Sequence, residues 1–166
     1  MSWGLKTNIT PDFEREVMGE LDALLLRLLK RLGEESLVRI RNRSSAESWN
    51  DQTGNLRASI GYGVVMHGKL VFQGGCNGTY GTTGGAEGRK EGKAFLRRIA
   101  SEHADPKGFA LILVAGMEYA SYVEEMENKD VLNSTGLVIY ARLKEEAVRL
   151  ENALVKRIEK KYGIAA

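Results

Sequence analysis

The sequence has little cysteine, little net charge and no long hydrophobic run. Its one cysteine, Cys76, excludes an internal disulfide and fits a reducing, cytosolic origin. The net charge of +2 gives no bulk electrostatic reason to expect nucleic acid or a membrane surface as partner. The most apolar stretches, LDALLLRLLKRL and FALILVAGM, are too charged or too short to span a bilayer. The N-terminal MSWGLKTNITPDFEREV lacks a basic segment followed by an apolar run, so no signal peptide is expected. These absences point to a soluble chain with no membrane partner. Its 166 residues, 43% apolar and 28% charged, are ordinary for one globular domain (1–166) that buries a real core.

Residues that carry chemistry are equally sparse. His67, His103 and Cys76 show no metal-ligand spacing, and Glu102, His103 and Asp105 cannot all share one helix face. Cys76 has no adjacent helix N-terminus or fixed base to lower its pKa. Ser59 lies in LRASIG, which is not a Gly-x-Ser-x-Gly elbow. Gly92-Lys93 supplies half of a P-loop, but Glu87 stands where its first glycine belongs and Ala94 where its hydroxyl belongs. GYGVVM fails the dinucleotide pattern at Met66. Glu118, Glu124, Glu125 and Glu127 read as solvated helix charges. Arg39, Arg41 and Arg43, with Arg57, form a local basic cluster without interleaved aromatics, so no specific nucleic acid is expected. No catalytic residue, cofactor or metal is expected, and the chain does not read as an enzyme.

The patterns that are present describe a scaffold. Thr10-Pro11-Asp12 is a helix start, followed by an apolar stripe at Phe13, Val17, Leu21, Leu24, Leu28 and Leu32. Gly33 is a place for that helix to end or kink, with Leu37, Val38 and Ile40 able to continue it to a loop at Ser44-Ser45. Val64–Met66 and Leu70–Phe72 flank His67-Gly68, which predicts a β-hairpin. Gly74 to Lys93 holds eight of the 19 glycines and predicts a long flexible loop. A short helix is expected from Glu91, with Phe95, Leu96 and Ile99 inward. Then come a turn at Asp105–Gly108, a buried strand at FALILVAG and a turn of helix at MEYASYVEEME. The last element, 137–162, contains no Gly or Pro. It carries a stripe of Tyr140, Leu143, Ala147, Leu150, Leu154 and Ile158, with Asn133 or Ser134 as a start and Gly163 as a stop. At roughly 40 Å it is longer than a small domain is wide, so part of it is expected to project or to pack on a neighbouring subunit. The expected fold is α+β: a small, mainly antiparallel sheet packed against long N-terminal and C-terminal helices, both on one face.

The stretch SWNDQTGNLRASIGYGVV turns from polar to strand-like within a few residues and is expected to be a corner that launches the hairpin. Taken in order with GKAFLRRIA and GMEYASYVEEMENKDVL, it resembles tailed-phage morphogenesis proteins of the head–tail joining or tail-completion (minor tail) kind. Thr53, Gly54, Leu56, Arg57, Ser59 and Ile60 match the first family segment. Tyr119, Ala120, Tyr122, Val123 and Glu124 match the second. Lys129-Asp130-Val131-Leu132 resembles the branch found in phages and prophages of Bacteroides-type bacteria. Glu125-Met126 stands where many relatives carry Gly-Thr. The resemblance implies a virion protein that forms a homo-oligomer and docks to other neck or tail proteins, first in the host cytoplasm and then in the particle. It makes the matched residues structural or interface positions, with Arg57 open to a contact role; by their spacing of three, Tyr119 and Tyr122 are expected to pack on one face. Two other readings remain: a ligand-binding enzyme with residues 74–93 as a lid, and a regulatory module that binds through the last helix.

Overall fold

The computed structural model describes residues 10–42, 52–125 and 130–163. The expected loop at Ser44-Ser45, Arg43 of the basic cluster, residues 48–51 of the corner, Glu127 and Lys129 lie outside the described residues. The fold is α+β, with eight elements in the order α1 (Pro11–Arg41), α2 (Asn55–Ser59), β1 (Ile60–Met66), β2 (Lys69–Gly75), α3 (Ala86–Glu102), β3 (Phe109–Ala115), α4 (Ala120–Glu125) and α5 (Asn133–Tyr162).

Helix α1 starts as its sequence dictates. The Thr10 hydroxyl accepts the Phe13 N–H at 3.3 Å, and Pro11 occupies the first turn. The helix does not end at Gly33 but runs on to Arg41. Gly33 is there for room: a Cβ on it would overlap the ring of Tyr62. That ring is fully buried, and its hydroxyl donates to Glu34 at 2.8 Å. Burial, reinforced by Glu34, pushes the phenol pKa well above its usual value.

The sheet has the order β2-β1-β3, with both pairings antiparallel. His67 and Gly68 turn the hairpin with φ of 50° and 75°, as a tight turn between twisted strands requires. His67 also reaches Asp22 of α1 at 2.9 Å. β1 is central and wholly buried, because both of its faces are covered. Tyr62, Val64 and Met66 pack with Leu29, Leu37 and Ile40 of α1. On the other face Leu96 of α3 packs with Cys76 and Val114. β3 needs an apolar side chain on each face, which explains its unbroken apolar run. A register shift between Val64 and Val65 re-aims β2, so Phe72 joins the α1 side while Leu70 reaches Gly63 near Leu96.

Helix α5 lies antiparallel on α1. Ile139, Leu143 and Leu150 pack on Leu28 and Leu32, and Leu111 of β3 touches the same cluster. Ion pairs follow one register along this seam: Arg157 with Glu20 at 2.9 Å, Arg31 with Glu146 at 2.8 Å, and Arg142 with Glu35. At the far end Lys161 and Tyr162 meet Glu16, and the Tyr162 ring packs edge-on to Phe13 at 4.8 Å. Gly163 stops α5 in the left-handed conformation.

Three sequence expectations change here. Residues 74–93 are not one loop, because Gly74 and Gly75 close β2 and residues 86–93 are the first half of α3. The helix therefore begins five residues before Glu91, and it covers the sheet face opposite α1. Its glycines are contact residues: a Cβ on Gly88 would strike the Asn55 carbonyl, and one on Gly92 the Ser59 carbonyl. Finally, α5 begins at Asn133, four residues before Leu137, so the N-cap position falls on Leu132 rather than on Asn133 or Ser134.

Candidate functional site

The two segments that carry the resemblance come together in the core. Gly54 starts α2 with φ of 79°, and a Cβ there would overlap the Tyr80 carbonyl, so only glycine fits. The preceding Thr53 hydroxyl accepts the Asn55 N–H at 3.3 Å. One turn of helix then buries Leu56, Ser59 and Ile60 completely. From the second segment, Ala120 and Val123 pack into the same cluster as Leu56 and Ile60. Ser59 ties the segments by hydrogen bonds as well. Its hydroxyl donates to the Leu56 carbonyl at 2.8 Å and accepts the Gly116 N–H at 3.1 Å.

The charged members of the motifs close helix ends. Arg57 donates to the Arg41 carbonyl at 3.3 Å, at the C-terminus of α1, where a cation also suits the helix dipole. Glu124 accepts three backbone N–H groups at the mouth of α5: Val131 at 2.8 Å, Leu132 at 2.9 Å and Asn133 at 2.8 Å. Those N–H groups have no intrahelical partner, and a carboxylate is the strongest acceptor for them. Asp130 accepts a fourth N–H, that of Ser134, at 3.3 Å. Asn55, which the sequence reading passed over, does similar work at α3. Its side chain accepts the Gly88 N–H at 3.2 Å and donates to Glu87 at 2.8 Å.

Tyr119 and Tyr122 face outward. They stand 41% and 68% exposed, because α4 turns Ala120 and Val123 to the core instead.

Residues 76–85, the part of the glycine-rich segment that is neither strand nor helix, are strapped down. Arg89 donates to the carbonyls of Gly78 and Gly84, at 2.7 and 2.5 Å. The Thr82 N–H and the Thr83 hydroxyl bond the carbonyls of Gln52 and Thr53, at 2.8 and 2.7 Å. Arg41 holds Asn77 at 3.0 Å and lies over the Tyr80 ring. The basic cluster is thus divided: Arg41 faces this loop, while Arg39 lies by Glu34 and Glu35.

Two clefts border these segments. One of about 440 Å³ lies between α3 and the β3–α4 connection, with Glu91, Arg98, Glu118, Met117 and Ser121 on its walls. Another of about 320 Å³ lies beside the loop, next to Gln73, Asn77, Lys93 and Cys76. The Cys76 thiol is buried and donates to the Ser59 carbonyl at 3.4 Å. Burial pushes its pKa up to about 11, against the pull of Lys93 and Arg41. It is therefore a protonated, poorly nucleophilic group at neutral pH. Among the described residues no group of three or more His, Cys, Asp or Glu is placed to hold a metal, and no helix is long and apolar enough to cross a membrane. Comparison with family models, curated proteins and solved structures finds no match to this chain.

Proposed function

We propose that this chain is a structural component of a tailed-phage particle, a head–tail connector or tail-completion protein that acts by self-assembly and docking rather than catalysis. One observation carries the reading: nine of the eleven matched residues serve as joints of the scaffold. They are buried, as Leu56, Ser59 and Ile60 are, or they pack, turn or close helix ends, as Val123, Gly54, Arg57 and Glu124 do. A shared pattern made of joints belongs to a shared scaffold more than to a shared reaction. The other two, Tyr119 and Tyr122, offer exposed aromatic surface of the kind that anchors protein interfaces. The partners are further copies of the chain and neighbouring neck or tail proteins, met in the host cytoplasm and retained in the virion.

The test is deletion of the gene from a phage or inducible prophage that carries it. Electron micrographs of the lysate should show filled heads and separate tails, or tails with unfinished ends. Complete, infectious particles at the normal yield would overturn the proposal.

A further inference from the structure

Helix α5 has two apolar seams, and α1 covers only one. Ile139, Leu143 and Leu150 face α1. On the opposite side Leu137, Val148 and Val155 are 73%, 59% and 48% exposed. Their spacings of eleven and seven residues return to one side of a helix with about 3.6 residues per turn. Tyr140, 60% exposed, widens the seam. Two charges interrupt it, Lys144 and Glu151, both exposed. Lys144 sits over the Tyr140 ring at 4.6 Å, which keeps its ammonium on this side.

We propose that this outer seam pairs with the same seam of a second copy of the chain. The two helices run antiparallel about a two-fold axis between Ala147 and Val148. The placement of the charges selects this occupant and this direction. In the antiparallel register Lys144 faces the partner's Glu151 and Tyr140 faces the partner's Val155. Val148 meets the partner's Ala147 at the axis. Between Tyr140 and Val155 each apolar position of the seam then meets an apolar one and each charge meets its opposite. A parallel pairing sets Lys144 against the partner's Lys144 and Glu151 against the partner's Glu151, a repulsive arrangement within an apolar seam. From Tyr140 to Val155 the contact runs roughly 22 Å, at about 1.5 Å per residue. A two-fold contact closes on itself, whereas ring building needs a head-to-tail contact. The pairing therefore stands or falls separately from the proposed function.

The test uses the full chain in sedimentation velocity from low to high micromolar concentration. The mass should move from one chain to two. Val148 is exposed in the monomer, so Val148→Glu should leave the circular dichroism spectrum unchanged while weakening the dimer at least about tenfold. Lys144→Glu alone and Glu151→Lys alone should each weaken it, and the double exchange should restore it. Oxidising a mixture of Tyr140→Cys and Val155→Cys chains should give a mixed, disulfide-linked dimer, since Cys76 is buried. A monomer at every concentration, an oligomer untouched by Val148→Glu, or a double exchange as weak as the single ones would overturn the proposal.

Discussion

Glu124 is one carboxylate holding three backbone N–H groups that would otherwise point into the mouth of α5 without acceptors. Glu124→Ala should destabilise the chain by about 2 kcal/mol in urea unfolding, the loss of charge-assisted hydrogen bonds at a helix start. Tyr122 lies two residues away and is mostly exposed, so Tyr122→Ser should stay within about 0.5 kcal/mol of the parent. Equal effects at the two positions would contradict the division of this motif into a joint and a surface. The division follows from geometry that sequence does not display. A glutamate seven residues before Val131 reads as a solvated helix charge until the chain folds back and brings it to those N–H groups. Arg57 is similar: its acceptor is sixteen residues back, at the end of another helix. Gly54 and Leu56 were easier to read, because turn chemistry and an apolar residue before a strand are local signals.

At the scale of elements, α1 and the hairpin were legible because their signals are periodic or local: an apolar stripe every three or four residues, and His67-Gly68 between two apolar runs. Helix α3 was half hidden. Gly88 and Gly92 look like loop composition, yet with Leu96 and Ala100 they recur every four residues and form its buried face. That spacing was the available signal, outweighed by the low helix propensity of glycine. Gly92→Ala should cost about 1–3 kcal/mol, since the new methyl meets the Ser59 backbone. Gly19 of α1 has open space where its Cβ would be, so Gly19→Ala should instead stabilise by about 0.5–1 kcal/mol. Chemical denaturation of the pair checks both signs. The seam between α1 and α5 makes its own prediction. The hydrogen bond from Arg31, assisted by neighbouring arginine charges, holds the Glu146 carboxyl below its usual pKa. A lowered folded-state pKa gives stability that is present above the unfolded value and lost as pH falls through the folded one. Thermal melts should therefore show wild type ahead of Glu146→Gln at neutral pH. The gap should close as pH falls below the ordinary carboxylate range. A gap that widens in acid would contradict the role given to this pair.

Across the whole molecule, α1 with α5 covers one side of a three-stranded sheet and α3 covers the other. The sequence predicted the two long helices and the antiparallel sheet. It left the second cover unplaced, because half of α3 was read as loop. Both faces of the sheet are occupied, and among the described residues exposed tyrosines stand at and beside α4 and exposed apolar side chains on the outer side of α5. The phage role proposed above would act through such surfaces. The most direct measurement is quantitative mass spectrometry of gradient-purified particles from a host carrying this gene. Our account predicts that the chain co-purifies with complete particles at a fixed, multi-copy ratio to the portal protein. Complete particles that lack the chain would contradict it.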